Sequence, residues 1–123
     1  MQPMNIVVAQ NDFVTAAQLA ASLHRHFRSV AVARSIEEMR AALPRHRPEL
    51  AVVDLETISL QELEELCREF EDVPFVCTHR LPDEQMWTDA LDAGASDICQ
   101  TNDLPGILLA VRRNLPEGRA NAA

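Results

Sequence analysis

The sequence predicts an α/β fold: one doubly wound layer of five parallel strands, in the order 2-1-3-4-5, with helices on both faces. Three observations predict it. Short apolar, β-branched runs alternate with amphipathic segments five times along the chain. These runs are apolar on consecutive residues rather than alternate ones, as strands buried on both faces must be. The length of 123 residues provides one core and not two. Right-handed crossovers then place helices on both sides of the sheet.

Asn5–Ala9 reads as the first strand, ended by the polar string Gln10-Asn11-Asp12. Val14, Ala17, Leu19, Ala20, Leu23 and Phe27 form a helical stripe within a segment from Phe13 to Phe27. Val30–Ala33 is the second strand. Ser35 and Glu38 have the spacing of a capping box, and the helix they open should end near Leu43, because Pro44 and Pro48 follow. Leu50–Asp54 is the third strand, apolar until it closes on a carboxylate. Ser59 and Glu62 form a second capping box for a helix to about Phe70 with an acidic outer face. Pro74–Thr78 is the fourth strand. Pro82-Asp83 starts a helix to Ala93, with Gly94 placed to end it. Ser96–Gln100 is the fifth strand and Leu104–Leu115 the last helix. Residues 1–115 therefore read as one domain and 116–123 as a linker stub or disordered tail, and an output domain is expected to follow in a parent protein.

Composition narrows the chemistry. All eleven basic residues are arginine, and neither lysine nor tyrosine occurs. This excludes Schiff-base and P-loop lysines and any phenolic acid or nucleophile. The net charge of −8 argues against a nucleic-acid-binding face. It is unevenly spread: residues 1–50 hold six arginines against four acids, net +2, and residues 51–123 five against fifteen, net −10. Cys67, Cys77 and Cys99 form no metal-binding spacing, and no signal peptide or membrane-length apolar run is present. A cytoplasmic domain with reduced thiols, no bound metal, no membrane association and no catalytic activity of its own is expected.

In the flavodoxin-like order, ligands bind at the carboxyl ends of the strands, at the switch point between strands 1 and 3. Gln10, Asn11, Asp12, Asp54, Glu56, Thr78 and His79 fall there, with Gln100 and Thr101 beside them. Asp54, a carboxylate ending a buried strand, is the sharpest signal. With Ile6–Ala9, Pro48–Asp54, Val73-Pro74 and the segment Ala90–Asp97, the chain resembles the receiver domain of bacterial response regulators (flavodoxin-like, or CheY-like, fold) from Asn5 to about Asn114.

The resemblance implies an aspartyl phospho-acceptor at Asp54, assisted by Mg²⁺ on two acids, a lysine and a Thr/Ser. Carried over, the acid positions fall on the amides Gln10 and Asn11, with Asp12 and Glu56 as the nearby carboxylates of a degenerate pocket. The Thr/Ser position falls on His79, or on Thr78 if the following loop has one extra residue. The lysine position falls on Thr101 or Gln100, and the aromatic switch position on Ile98.

The resemblance also implies a partner face on helix 4, strand 5 and helix 5, where Trp87, Leu91, Ile98, Leu109 and Arg112 fall, as a surface for homodimerisation or for the chain's own output domain or another protein. Trp87 is equally compatible with the core. The expected function is a pseudo-receiver that signals by contact, without phosphorylation and without cofactors. The alternatives are a working receiver, phosphorylated on Asp54 by a histidine kinase with Mg²⁺, and a flavodoxin-like small-ligand binder. The last lacks a glycine-rich loop after the first strand.

Overall fold

A computed structural model describes residues 2–115; the expected linker at 116–123 lies outside them. Five strands, β1 (Gln2–Ala9), β2 (Phe27–Ala33), β3 (Leu50–Asp54), β4 (Phe75–His79) and β5 (Asp97–Gln100), form one parallel sheet in the order β2-β1-β3-β4-β5. Helices α1 (Phe13–His24), α2 (Ile36–His46), α3 (Leu60–Glu69), α4 (Glu84–Ala93) and α5 (Leu104–Asn114) connect and follow them.

The consecutive apolar residues of the strands are explained by apolar packing on both faces of the one sheet. Val7, Ala9, Ala51, Val53, Phe75 and Cys77 point to the face covered by Met39 and Leu43 of α2, Leu63 and Leu66 of α3, and Ala90 of α4. Ile6, Val8, Leu50, Val52 and Val76 point to the other, under Leu19 and Leu23 of α1 and Ile107, Ala110 and Val111 of α5. All five residues of β3 are buried. Each large side chain so buried contributes about 1.5–3 kcal/mol, and Asp54 is thereby fixed at the end of the most enclosed strand.

The element boundaries correct the expectations in two places. The first helix stops at His24, and Phe27 begins β2 instead of extending the helical stripe. The buried face of α1 is Ala16, Leu19 and Leu23, which leaves Val14 and Ala17 exposed. Helix α2 runs through Pro44 to His46 and closes on Arg47 in the left-handed conformation (φ 45°), whose N–H bonds the Leu43 carbonyl. Proline removes one donor near the helix end, where few turns remain to be broken.

Caps define the helix starts. Ser59 and Glu62 form a complete capping box. Ser35 caps Glu38 N, but the Glu38 carboxylate accepts from Arg34 N instead of the cap residue. Gly94 ends α4 at φ 117°, and a Cβ there would lie 2.8 Å from that of Cys67, so glycine is required for both its backbone angle and the close packing of α4 on α3.

Candidate functional site

The carboxyl ends of β1, β3 and β4 and the segment after β5 enclose a cavity of about 380 Å³ lined by Gln10, Asn11, Asp12, Asp54, Glu56, Arg80 and Thr101, among others. Asp54 is 3% exposed. Its carboxylate accepts two hydroxyl hydrogen bonds, from Thr57 Oγ1 at 3.0 Å on Oδ2 and from Thr78 Oγ1 at 3.2 Å on Oδ1. Thr57 Oγ1 in turn accepts from the backbone N–H of Asn11, tying the end of β1 to that of β3. Burial pushes the Asp54 carboxyl above the ordinary carboxylate range, and the two threonine hydroxyls offset only part of that.

Of the two alternatives for the Thr/Ser position, Thr78 is the residue on Asp54: the two are register partners across β3 and β4. His79 is displaced from Asp54. Its Nε2 lies 3.8 Å from Glu56 and its Nδ1 accepts from Leu81 N. At the end of β5, Thr101 lines the cavity, whereas Gln100 turns outward and donates to the Arg80 carbonyl. Thr101 Oγ1 is buried with no hydrogen-bond partner.

The carboxylates near Asp54 have other tasks. Asp12 caps α1, accepting from Thr15 N at 2.9 Å and Thr15 Oγ1 at 2.6 Å, and these bonds hold its carboxyl below the ordinary range. Gln10, itself buried, accepts from Asp12 N and so braces the same turn. Glu56 takes Arg80 Nε at 3.0 Å on each oxygen and Arg80 Nη2 at 3.0 Å.

A divalent cation needs hard, charged oxygen donors arranged around it. The residues present do not fit one. Gln10 and Asn11 are neutral, Asp12 and Glu56 are engaged, and among the described residues no group of three His, Cys, Asp or Glu converges. Arg80, which lines the cavity, and Thr57, which bonds Asp54, are residues that the sequence reading missed. The place of Arg80 emerges only from the β3–β4 register: Glu56 and Arg80 each stand two residues past the registered pair Asp54 and Thr78.

The second candidate surface is on α4 and α5. Trp87 is 49% exposed and lines a groove of about 240 Å³ with Pro82, Ile98 and Gln100, so it is not a core residue. Leu91 is half-buried and Leu109 is 61% exposed. Two expectations need correction here. Ile98 is buried in the sheet core and offers only its edge to the groove. Arg112 Nη2 lies 3.0 Å from His26 Nδ1, directing it toward the end of α1, and Arg113 pairs with Asp97 of the same chain.

The fold is that of response regulator receiver domains. A response regulator from Thermotoga maritima superposes with a TM-score of 0.81 at 22% identity, over 93% of this chain and 98% of that one. The isolated REC domain of RcsB from Salmonella enterica serovar Typhimurium, solved with the phosphomimetic BeF3−, gives 0.78 at 16% identity over 98% of each chain. NtrX from Brucella abortus, solved with ADP, gives 0.86 at 18% identity over 98% of this chain, which spans 28% of the NtrX chain. No family model and no curated protein matches the sequence. Among the described residues no helix is long and apolar enough to cross a membrane.

Proposed function

We propose that the chain is a pseudo-receiver, a non-catalytic signalling module that works by protein–protein contact without a phosphoryl group on Asp54. The carrying observation is the state of the Asp54 cavity. The carboxylate is buried and held by two hydroxyls, while the positions facing it from β1 and β5 are uncharged and the local cation is bound to Glu56. Phosphoryl transfer depends on positioning and on neutralising the moving charge. A phosphoryl group on Asp54 would add negative charge to a cavity that already holds an excess of it.

Contact is supported by Trp87, which is exposed on α4 and lines an open groove, with the half-buried Leu91 one helical turn away, as an anchor for an output domain or a second copy. Attachment to an output domain agrees with NtrX, in which the matched region is a minor part of a longer chain. Incubation with acetyl phosphate, or with beryllofluoride, in the presence of Mg²⁺ tests the proposal. Intact-mass and NMR spectra are expected to show Asp54 unmodified. Stoichiometric modification that Asp54→Asn abolishes overturns it.

One observation favours the competing reading, a working receiver that takes its phosphoryl group from a histidine kinase: Thr78 stands directly on the Asp54 carboxylate. That reading needs Mg²⁺ to bind in an Asp54-dependent manner, and a calorimetric titration without heat at millimolar metal removes it.

A further inference from the structure

Among the described residues, five of the seven exposed large apolar side chains fall into two groups at opposite edges of the sheet. Phe13, 70% exposed, and Val14 open α1, and Val32 lies on β2, which pairs only with β1. Leu81 and Trp87, with Pro82 between them in the chain, belong to the other edge, where the groove of about 240 Å³ runs between α4 and β5. Exposed apolar side chains grouped in this way mark contact surfaces.

The two groups differ in charge. From His24 to Arg34 the chain has three arginines, two histidines and no acid. The Arg34 guanidinium lies 5.7 Å from the centre of the Phe13 ring, which joins the start of α1 to the end of β2 in one basic and apolar patch. Among the described residues neither Arg28 nor Arg34 is ion-paired, and Glu38 meets Arg34 at its backbone N–H. From Pro82 to Ala93, by contrast, there are four acids and no basic residue. Two of the acids, Asp83 and Glu84, line the groove beside Trp87, and neither is ion-paired among the described residues.

Both halves of a matched pair are therefore on one chain. Arginines around a phenylalanine stand at one edge, and a tryptophan groove rimmed by carboxylates stands at the other. Guanidinium groups are attracted both to an indole face and to carboxylates. We propose that the Trp87 groove receives the Phe13–Arg34 patch of a second copy, so that copies associate head to tail. The two surfaces differ and lie at opposite edges, so the contact has no two-fold axis. Each added copy leaves one patch and one groove free. A two-fold contact through either surface alone would instead oppose like charges, arginines to arginines or Asp83 and Glu84 to their own counterparts. The inference rests on the reading of the Trp87 groove as a contact surface.

The test follows the full chain by analytical ultracentrifugation and by fluorescence, since Trp87 is its only tryptophan. The wild type is expected to form species larger than dimers as concentration rises, with a blue shift of Trp87 emission that added salt reverses. Trp87→Ala and the double variant Phe13→Ala, Arg34→Glu should each weaken self-association by about tenfold or more. All three side chains are exposed, and circular dichroism checks that both variants fold. Mixed together, the two variants should form a 1:1 dimer that grows no further, because one retains the patch and the other the groove. Only the double variant fluoresces, so its blue shift on addition of Trp87→Ala reads the contact itself. Monomers at every concentration, a mixture without a blue shift, or a double variant that dimerises alone overturns the inference. The last outcome keeps the groove as a contact surface and defeats only the head-to-tail arrangement. A wild-type emission that is blue-shifted independently of concentration places a segment of the same chain in the groove and also overturns it. A parallel sample with acetyl phosphate and Mg²⁺ separates the failures. Modification of Asp54 defeats the pseudo-receiver reading, whereas an unmodified Asp54 in a chain that stays monomeric defeats only this inference.

Discussion

The two halves of the Asp54 cavity differ in kind. On the β3–β4 side the carboxylate, Thr57 and Thr78 are buried or half-buried and joined by hydrogen bonds of 3.0 and 3.2 Å. On the side of β1 and β5 stand Gln10, Asn11 and Thr101, which bring no charge to Asp54. The first half is part of the sheet core and is held by the same packing as the fold. The second consists of strand ends and loops at the edge of that packing. The fold and the chemistry at its rim are thus set by different residues, and a likeness of fold carries no chemistry with it.

The contrast can be broken from beneath. Phe75→Ala removes a side chain that is 1% exposed from the strand that carries Thr78. It should cost about 3–5 kcal/mol in urea unfolding, the largest effect expected.

Thr78→Val keeps the shape and deletes one donor to a buried carboxylate, for a loss of about 1.5–3 kcal/mol. It should also raise the Asp54 carboxyl further, which carboxyl NMR titration reads.

Asp54→Asn should act in the opposite direction. Because the folded-state carboxyl is raised above its value in the unfolded chain, its ionised form opposes folding at neutral pH. Wild-type stability attributable to this group increases as pH falls through its folded-state value toward the unfolded one. The variant should therefore melt higher at pH 7, with the difference narrowing on acidification. A variant that melts lower at pH 7 shows the hydroxyl network to outweigh the desolvation of the charge.

The smallest effect belongs to the rim. Arg80→Ala should leave the melting temperature nearly unchanged, since the guanidinium is solvent-exposed and its pair with Glu56 is screened. A large drop would place Arg80 with the structural half.

What was legible in the sequence follows the same division. Strands buried on both faces leave runs such as Leu50–Val53 that periodicity detects directly, so strand order and the position of Asp54 could be read. The end of α1 could not. Phe27 continues the helical spacing of Leu19 and Leu23, and no glycine or proline marks the turn at Arg25 and His26. Pro44 misled for the reverse reason, being a strong breaker placed where little helix was left to break. Trp87 could be assigned a helix face from its distance to Gly94 but not a depth, because depth depends on how α4 settles on its neighbours. Arg80 was overlooked because an arginine on an exposed loop has no spacing signature until the β3–β4 register places it opposite Glu56.

Asp12 and Glu56 are both committed to contacts away from Asp54. The Asp12 carboxylate is the N-cap of α1, and turning it toward Asp54 would strip that helix of its first hydrogen bonds. Recruiting Glu56 would in the same way release Arg80. Turning either carboxylate toward Asp54 therefore removes an existing contact before it makes a new one.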